Sequence, residues 1–351
     1  AEQKLMTSRA WMERQCRRSS TARRWAFRVA AVLFGLLAAL VTTEVTFRVF
    51  DIRPPASTPT DQCDAFKVRN ELNELGLREP PGFPPLRRSG EFRVVCVGDS
   101  MTYGEGVETE QAYPNVMSNL LTERLGPQRV VTVVNMGKPG EETLRERQRF
   151  VALADRIAPD VVILGFYIND FAYQLTGPSD MLHRIYDLRD DHFVFSDFSY
   201  LFHYAEKKIR LRLAYNETLR YYRVDSLRGV EPAAFEPVAR EIIAFRDFAE
   251  ARKIQFVLTM IPWLVRFYDY PLTAMHERLG EFARENGIPY CDLVSAFDGQ
   301  SEEPMRVSVA NHHPSVAAHR IIAARLVKFL DDQGLLPRQE STSLPTSRGG
   351  D

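Results

Sequence analysis

The chain predicts an α/β fold built on a parallel sheet, and three features carry that prediction. Short β-branched runs alternate with stretches of helical period. The runs are apolar at nearly every position, and the loops that follow them are rich in Gly, Asn, Asp and Ser. A strand with no polar face must be covered on both sides, the condition of a parallel sheet wrapped by crossover helices. With 351 residues, 45% of them hydrophobic and 26% charged, the chain is an ordinary globular protein; disordered, collagen-like and disulfide-stapled classes are excluded. A net charge of -1 provides no global field for nucleic acid, which is not expected as a partner. The mean hydropathy of -0.25 leaves room for one membrane span and not for several.

Taken in order, residues 1–28 are a basic N-terminus, of which 1–5, ahead of Met6, are left out of fold reasoning. From Met6 to Arg28 seven arginines (Arg9, Arg14, Arg17, Arg18, Arg23, Arg24, Arg28) stand against one acid, Glu13. Residues 29–50 form a predicted transmembrane helix: Val29 to Thr43 carries no charge, and only Glu44 and Arg48 interrupt the run to Phe50. A bilayer core needs about 20 helical residues, and Glu44 and Arg48, one turn apart, can pair at the far interface. The arginine excess before the span places the N-terminus in the cytoplasm and the rest of the chain outside, periplasmic or extracellular. A cleaved signal peptide, an organellar targeting peptide and a buried core helix are the competing readings; the length of the apolar run favours an anchor in the lipid bilayer.

Residues 51–91 read as a Pro-rich stalk and lead-in (Asp51 to Asp64, then Glu79 to Arg88), with the compact domain starting between Phe66 and Phe92. The domain proper is expected over 92–335. Strands are predicted at Arg93 to Val97, Val130 to Met136, Val161 to Gly165 and Gln255 to Met260, and helices at Tyr113 to Leu125, Leu144 to Ile157 and Val238 to Arg252. A last helix carries the stripe Ile321, Ile322, Leu326, Phe329 and Leu330. An insertion at about 171–232 alternates aromatic and polar residues (Phe193, Phe195, Phe198, Tyr200, Phe202, Tyr204), as in a strand or lid edge or the core of a small subdomain; basic Lys207 to Leu213 follows, read as a solvated helix face. Residues 336–351 are a polar tail expected to be disordered. Cys16, Cys63, Cys96 and Cys291 show no CxxC pairing and no spaced His, so no zinc site is expected, and Cys96 reads as a buried thiol.

In an open parallel sheet, chemistry gathers where the strand ends run into helices. The first such loop is Gly98-Asp99-Ser100-Met101, with a serine about to enter a helix, either as an exposed nucleophile or as a simple N-cap. The second contains Gly137 and Gly140, and the third Asn169-Asp170. A glycine N–H and an asparagine amide beside the serine would make an oxyanion hole. Asn311-His312-His313-Pro314-Ser315 opens the last helix, from which a histidine could reach back as general base.

With these blocks the chain, from about Phe92 to Leu330, resembles the SGNH (GDSL-type) hydrolase superfamily, and its apolar N-terminus and Asn73-Glu74-Leu75-Gly76-Leu77-Arg78 segment resemble the membrane-anchored bacterial members. The resemblance implies a flavodoxin-like three-layer sandwich with a five-stranded parallel sheet. It implies an esterase, lipase or carbohydrate O-acyl hydrolase or transferase without metal or other cofactor. By motif position Ser100 is the nucleophile, His313 the base, and the Ser100 N–H, Gly140 and Asn169 the oxyanion donors, with Gly137 the alternative in another register. Two departures stand out. Tyr167 replaces the glycine usual two residues before the asparagine, and the positions of the usual triad acid hold Ala310 and Asn311.

An Asn can orient an imidazole but carries no charge, so a Ser-His dyad, an acid from elsewhere (Asp298 or Glu303) and an inactive domain serving as an interaction subunit of a membrane complex all stay open. Which of His312 and His313 faces the serine is open too. The expected substrate is an ester, of a lipid or an acylated glycan. Nucleotide or phosphate binding is disfavoured because neither a Walker pattern nor GxGxxG is present.

Overall fold

The computed structural model describes residues 2–52, 72–80, 87–174, 198–221, 224–225, 229–230, 232–308 and 311–337. By its internal contacts the chain divides into two units, residues 1–55 with 191–211, and residues 56–190 with 212–351.

The larger unit holds a five-stranded, wholly parallel sheet. Its strands are β1 (Phe92–Gly98), β2 (Val131–Gly137), β3 (Val161–Phe166), β6 (Gln255–Met260) and β7 (Tyr290–Asp292), in the order β2-β1-β3-β6-β7; β4 (Val224–Asp225) and β5 (Gly229–Val230) form a separate antiparallel pair. Every residue of β1 and β3 is buried, the burial expected of strands covered on both faces. The chain leaves β1 in one direction to β2 and returns past it to β3. Right-handed crossovers therefore put the two connecting helices on opposite faces. Helix α3 (Tyr113–Leu125) packs with the last helix, α8 (Val316–Asp332), while α4 (Thr143–Ile157) packs with α6 (Pro232–Glu250). The α4 and α6 layer meets through Phe150 and Phe245, whose ring centroids lie 5.0 Å apart. Such a pair adds about 1 kcal/mol to the burial of its rings.

The predicted strands and helices hold to within a few residues, except at the start of α6. That helix begins at Pro232, with Pro237 inside it. Two elements of the sheet region had no sequence reading, namely α7 (Thr273–Glu285) and β7. Strand β7 is three residues long at the sheet edge, too short for any alternation to register. Cys96 in β1 and Cys291 in β7 are buried free thiols; Cys16 and Cys63 lie outside the residues whose side chains are described.

The end of the sheet remote from the loops is tied by a buried ion pair. Arg93 Nη2 lies 2.9 Å from Glu91 Oε1 with both side chains fully buried, and Arg93 Nη1 donates to Ile157 O. Asp160 Oδ2 accepts the Arg93 N–H at 2.8 Å.

In the smaller unit α1 runs from Glu2 to Val49, and its stretch Arg23–Val49 is long and apolar enough to cross a membrane. The Glu44–Arg48 pair forms at 2.6 Å, and Glu44 also accepts the Tyr200 and Leu201 N–H groups and the Ser199 hydroxyl. Glu44 thereby caps α5 (Tyr200–Tyr221). This corrects the strand reading of the aromatic stripe: Tyr200, Phe202 and Tyr204 are helical, because a carboxylate distant in sequence nucleates the first turn. Phe193 and Phe195 lie outside the described residues. The basic segment is also not a wholly solvated face, since Lys207 is buried and Lys208 exposed. The tail beyond residue 337 is outside the described residues.

Candidate active site

Three glycines make the floor of the site. Gly98, Gly137 and Gly165 end or nearly end β1, β2 and β3 in register with one another. A Cβ at Gly137 would lie 2.1 Å from Tyr103 N, and one at Gly98 or Gly165 would lie 2.1 Å or 2.6 Å from Thr102 Oγ1. The short helix α2 (Ser100–Tyr103) can therefore sit directly on the strand ends, with Ser100 at its first position. Sequence reading passed over this floor, although the signal was present as a glycine near the end of three successive strands.

Asp99 is fully buried and fixes the turn. Its Oδ1 accepts the Met101 N–H at 2.8 Å and its Oδ2 accepts Asn169 Nδ2 at 2.7 Å. Burial raises its pKa to about 6 against these two bonds. The carboxylate also sets the orientation of Asn169, because an amide oxygen cannot face it. The Asn169 Oδ1 is buried with no hydrogen-bond partner among the described residues.

In the second loop the Gly137 N–H donates to Asn135 Oδ1 at 2.9 Å, so this glycine's donor is already engaged. Gly140 is exposed at φ +75° in the turn closed by Glu141 N–H to Lys138 O, and its N–H donates to no backbone acceptor among the described residues. The Lys138 N–H donates to Gly98 O at 2.9 Å, which ties this loop to the end of β1.

The histidine arrives on a hairpin. Val307 N–H donates to His313 O, Ser308 N–H donates to Asn311 O, and Ser315 Oγ donates to Pro304 O while capping α8. His313 Nε2 lies 2.8 Å from Ser100 Oγ, and its Nδ1 lies 2.5 Å from Asn311 Oδ1. The neighbouring His312 instead accepts from Trp263 Nε1 through its Nδ1 at 3.0 Å, so His313 is the imidazole that faces the serine. Trp263 is held in turn by Tyr270, whose hydroxyl accepts the Trp263 N–H and meets His276 Nε2 at 3.1 Å, and His276 Nδ1 lies 2.8 Å from Asp292.

Asn311 does more than fill space. Its Oδ1 also accepts the His313 N–H at 3.1 Å, so a flipped amide would set two donors against each other. The oxygen is thus pinned toward Nδ1, Nδ1 carries the hydrogen, and the Nε2 lone pair is left for the serine hydroxyl. Of the two acids considered as substitutes, Asp298 and Glu303 are both exposed and neither has a contact with His313 among the described residues. Ala310 is outside the described residues.

Two further buried acids couple by charge to Asp99. Asp170 accepts from Thr143 Oγ1 and from the Tyr167 N–H, each at 2.7 Å; burial, and then the charge of Asp99, raise its pKa to about 8. Burial also raises Glu146 well above the usual carboxylate range, and neither of its oxygens has a hydrogen-bond partner among the described residues. His319 is a core residue whose pKa burial lowers to about 3; its Nδ1 accepts the Tyr113 N–H.

The profile of the GDSL-like Lipase/Acylhydrolase family matches residues 96–321, from the middle of β1 into α8, and so takes in every residue of this constellation. The chain belongs to the GDSL-like lipase/acylhydrolase family. Its α/β fold, with the five-stranded parallel sheet, is that of the GDSL family. Similar solved structures include a two-domain esterase active on acetylated mannans, at 17% identity and TM-score 0.44, covering 73% of this chain and 52% of that one. Another is the lipase/acylhydrolase from Enterococcus faecalis, at 16% identity and TM-score 0.41, covering 69% and 96%. A third is a psychrotrophic esterase from Pseudoalteromonas, at 12% identity and TM-score 0.41, covering 70% and 99%. Comparison with curated proteins gives no match. Membership of the GDSL-like family supports an ester-hydrolysing or acyl-hydrolysing chemistry for this site.

Proposed function

We propose that this GDSL-like protein is a membrane-tethered serine esterase or O-acyl transferase that works through Ser100 and His313. The observation that carries the reading is the 2.8 Å contact of His313 Nε2 with Ser100 Oγ, made by an imidazole whose other nitrogen is fixed on Asn311. His313 takes the serine proton as Oγ bonds to the acyl carbon. The Ser100 N–H, the Gly140 N–H and the second hydrogen of the Asn169 amide receive the negative charge that develops on the acyl oxygen. The alcohol leaves with the proton from Nε2, and water or a sugar hydroxyl then accepts the acyl group from the serine by the reverse sequence.

Asn311 bears on the rate. In a serine-protease triad, Asp-to-Asn replacement costs about 10⁴ in kcat because the imidazole takes the wrong tautomer. Here the pinned amide oxygen preserves the tautomer, so the cost is confined to the missing charge. The stretch Arg23–Val49, none of which is buried, supports a bilayer anchor with the catalytic unit on the extracytoplasmic side, and an acylated glycan or lipid as the ester presented there.

The test is labelling of the detergent-solubilised chain by a small fluorophosphonate, with the adduct mapped by mass. Labelling at Ser100 that is lost in Ser100→Ala and His313→Ala upholds the reading. A folded chain that takes no label favours the other reading that the neutral Asn311 supports, a GDSL-like domain kept as an interaction subunit of a membrane complex. Retention of α1 in carbonate-washed membranes tests the tether separately.

A further inference from the structure

The imidazole of His313 does have a carboxylate beside it, at the edge away from the place of a triad acid. Glu105 Oε2 lies 3.5 Å from His313 Nε2, the nitrogen that faces Ser100, whereas Nδ1 is held by the uncharged Asn311. We propose that Glu105 supplies the counter-charge that position 311 lacks, acting as a positioning residue that stabilises the protonated His313 from its Nε2 edge. This rests on the serine and histidine reading given above.

Glu105 is held where it is by packing on both sides. Arg78 is fully buried and donates through Nη1 to Tyr103 O and Gly104 O and through Nη2 to Val107 O, carbonyls that bracket residue 105. The Glu105 N–H donates to Ser100 O at 3.2 Å. Gly106, at φ +88°, rests on Val307, where an added Cβ would come within 2.7 Å of Cγ2; the Val307 N–H donates to His313 O at 2.9 Å. One contact thus sets the glutamate loop against the histidine hairpin. Among the described residues, Arg78 and Asp99 act on Glu105 by charge and His313 on His319, while the hydrogen bonds of these groups run elsewhere. Asp99 faces Met101 and Asn169, Arg78 the loop carbonyls, His312 Trp263, and His319 Tyr113. Among the described residues Glu105 is the acid that reaches this imidazole.

The chemistry needs only charge. As Ser100 Oγ bonds to the acyl carbon its proton moves to Nε2, and the imidazolium so formed stands beside the Glu105 carboxylate. When the alcohol departs it takes that proton, and Glu105 neither gains nor loses one. An opposite charge at this range shifts a pKa by about 1–3 units. With its side chain 36% exposed, Glu105 belongs at the lower end.

The experiment follows fluorophosphonate labelling of Ser100 in the full-length chain from pH 5 to 9, for the native protein, Glu105→Gln, Asn311→Asp and the double variant. Removing the carboxylate is expected to slow labelling about tenfold and to move the acid limb down by about one pH unit, since the limb reports loss of the neutral imidazole. Asn311→Asp is expected to speed the Glu105→Gln protein by a larger factor than the native one. An unchanged limb and plateau in Glu105→Gln, or equal gains from Asn311→Asp in both backgrounds, overturns the proposal. The same variants are titrated by NMR at the His313 ring, assigned with His313→Gln. A chain that never labels refutes the serine reading, yet the titration still decides for Glu105: a lowered His313 pKa in Glu105→Gln upholds it and an equal pKa refutes it.

Discussion

Asp170→Asn should change how the stability of this protein depends on pH while leaving its structure intact. Asp170 is fully buried, accepts one bond from Thr143 Oγ1 and one from the Tyr167 N–H, and titrates at about 8 because of burial and the charge of Asp99. An asparagine keeps its oxygen on the Tyr167 N–H and donates its amide to the threonine hydroxyl; it gives up the acceptor that the carboxylate offers the Thr143 N–H, a loss that is the same at every pH. In the unfolded chain the carboxyl returns to its ordinary value of 3.8. Between about pH 4 and pH 8 the folded chain therefore holds a proton that the unfolded chain has released. Unfolding sheds that proton, so stability is full below the window and is lost as pH rises through it. One pKa unit is about 1.4 kcal/mol, which over this window sets a ceiling of about 6 kcal/mol. Native protein and variant are compared by urea unfolding at pH 5, 6, 7 and 8. The stability of Asp170→Asn relative to native should rise steadily with pH; Glu146, raised in the same sense by burial and then by the charge of Asp170, leaves a residual slope in each that is smaller in the variant. A difference that stays constant across the series, or that falls with pH, would refute the argument.

Three further outcomes follow from packing. Gly137→Ala should cost about 3 kcal/mol in unfolding free energy and most of the serine labelling rate, because the new methyl meets the Tyr103 backbone and displaces α2. Arg93→Met strands the buried Glu91 carboxylate and should cost about 3–5 kcal/mol by chemical unfolding, whereas pairing it with Glu91→Leu should recover most of the loss. Glu44→Ala removes the acceptor at the start of α5, so hydrogen exchange at the Tyr200 and Leu201 amides should accelerate while exchange in β1 and β3 stays unchanged.

The legibility of the fold followed the length and location of each element. Strands β1 and β3 are central and buried at every position, so their apolar runs announced them; β7, at the edge with three residues, carried no pattern. The first turns of α5 looked like an alternating strand because their helical start depends on Glu44, about 156 residues earlier. The short Gly98-Asp99-Ser100 and Asn169-Asp170 blocks could be read because the chemistry constrains both residue type and place at a strand end. Glu105 was invisible as a partner of the histidine because the two are brought together by a hairpin and a loop far apart in sequence.

The sequence by itself determined the α/β class, the apolar N-terminal stretch and the blocks that supply a serine, an asparagine amide and a histidine, since periodicity and motif spacing are local properties of the chain. The tertiary structure decided the rest. It put His313 rather than His312 against the serine, pinned Asn311 with its oxygen toward the ring, left Asp298 and Glu303 exposed, buried Asp99, Glu146 and Asp170 and set Glu105 against the imidazole. Each of these depends on distance and burial between residues that the chain keeps apart, and neither quantity exists until the sheet has formed and its loops have packed.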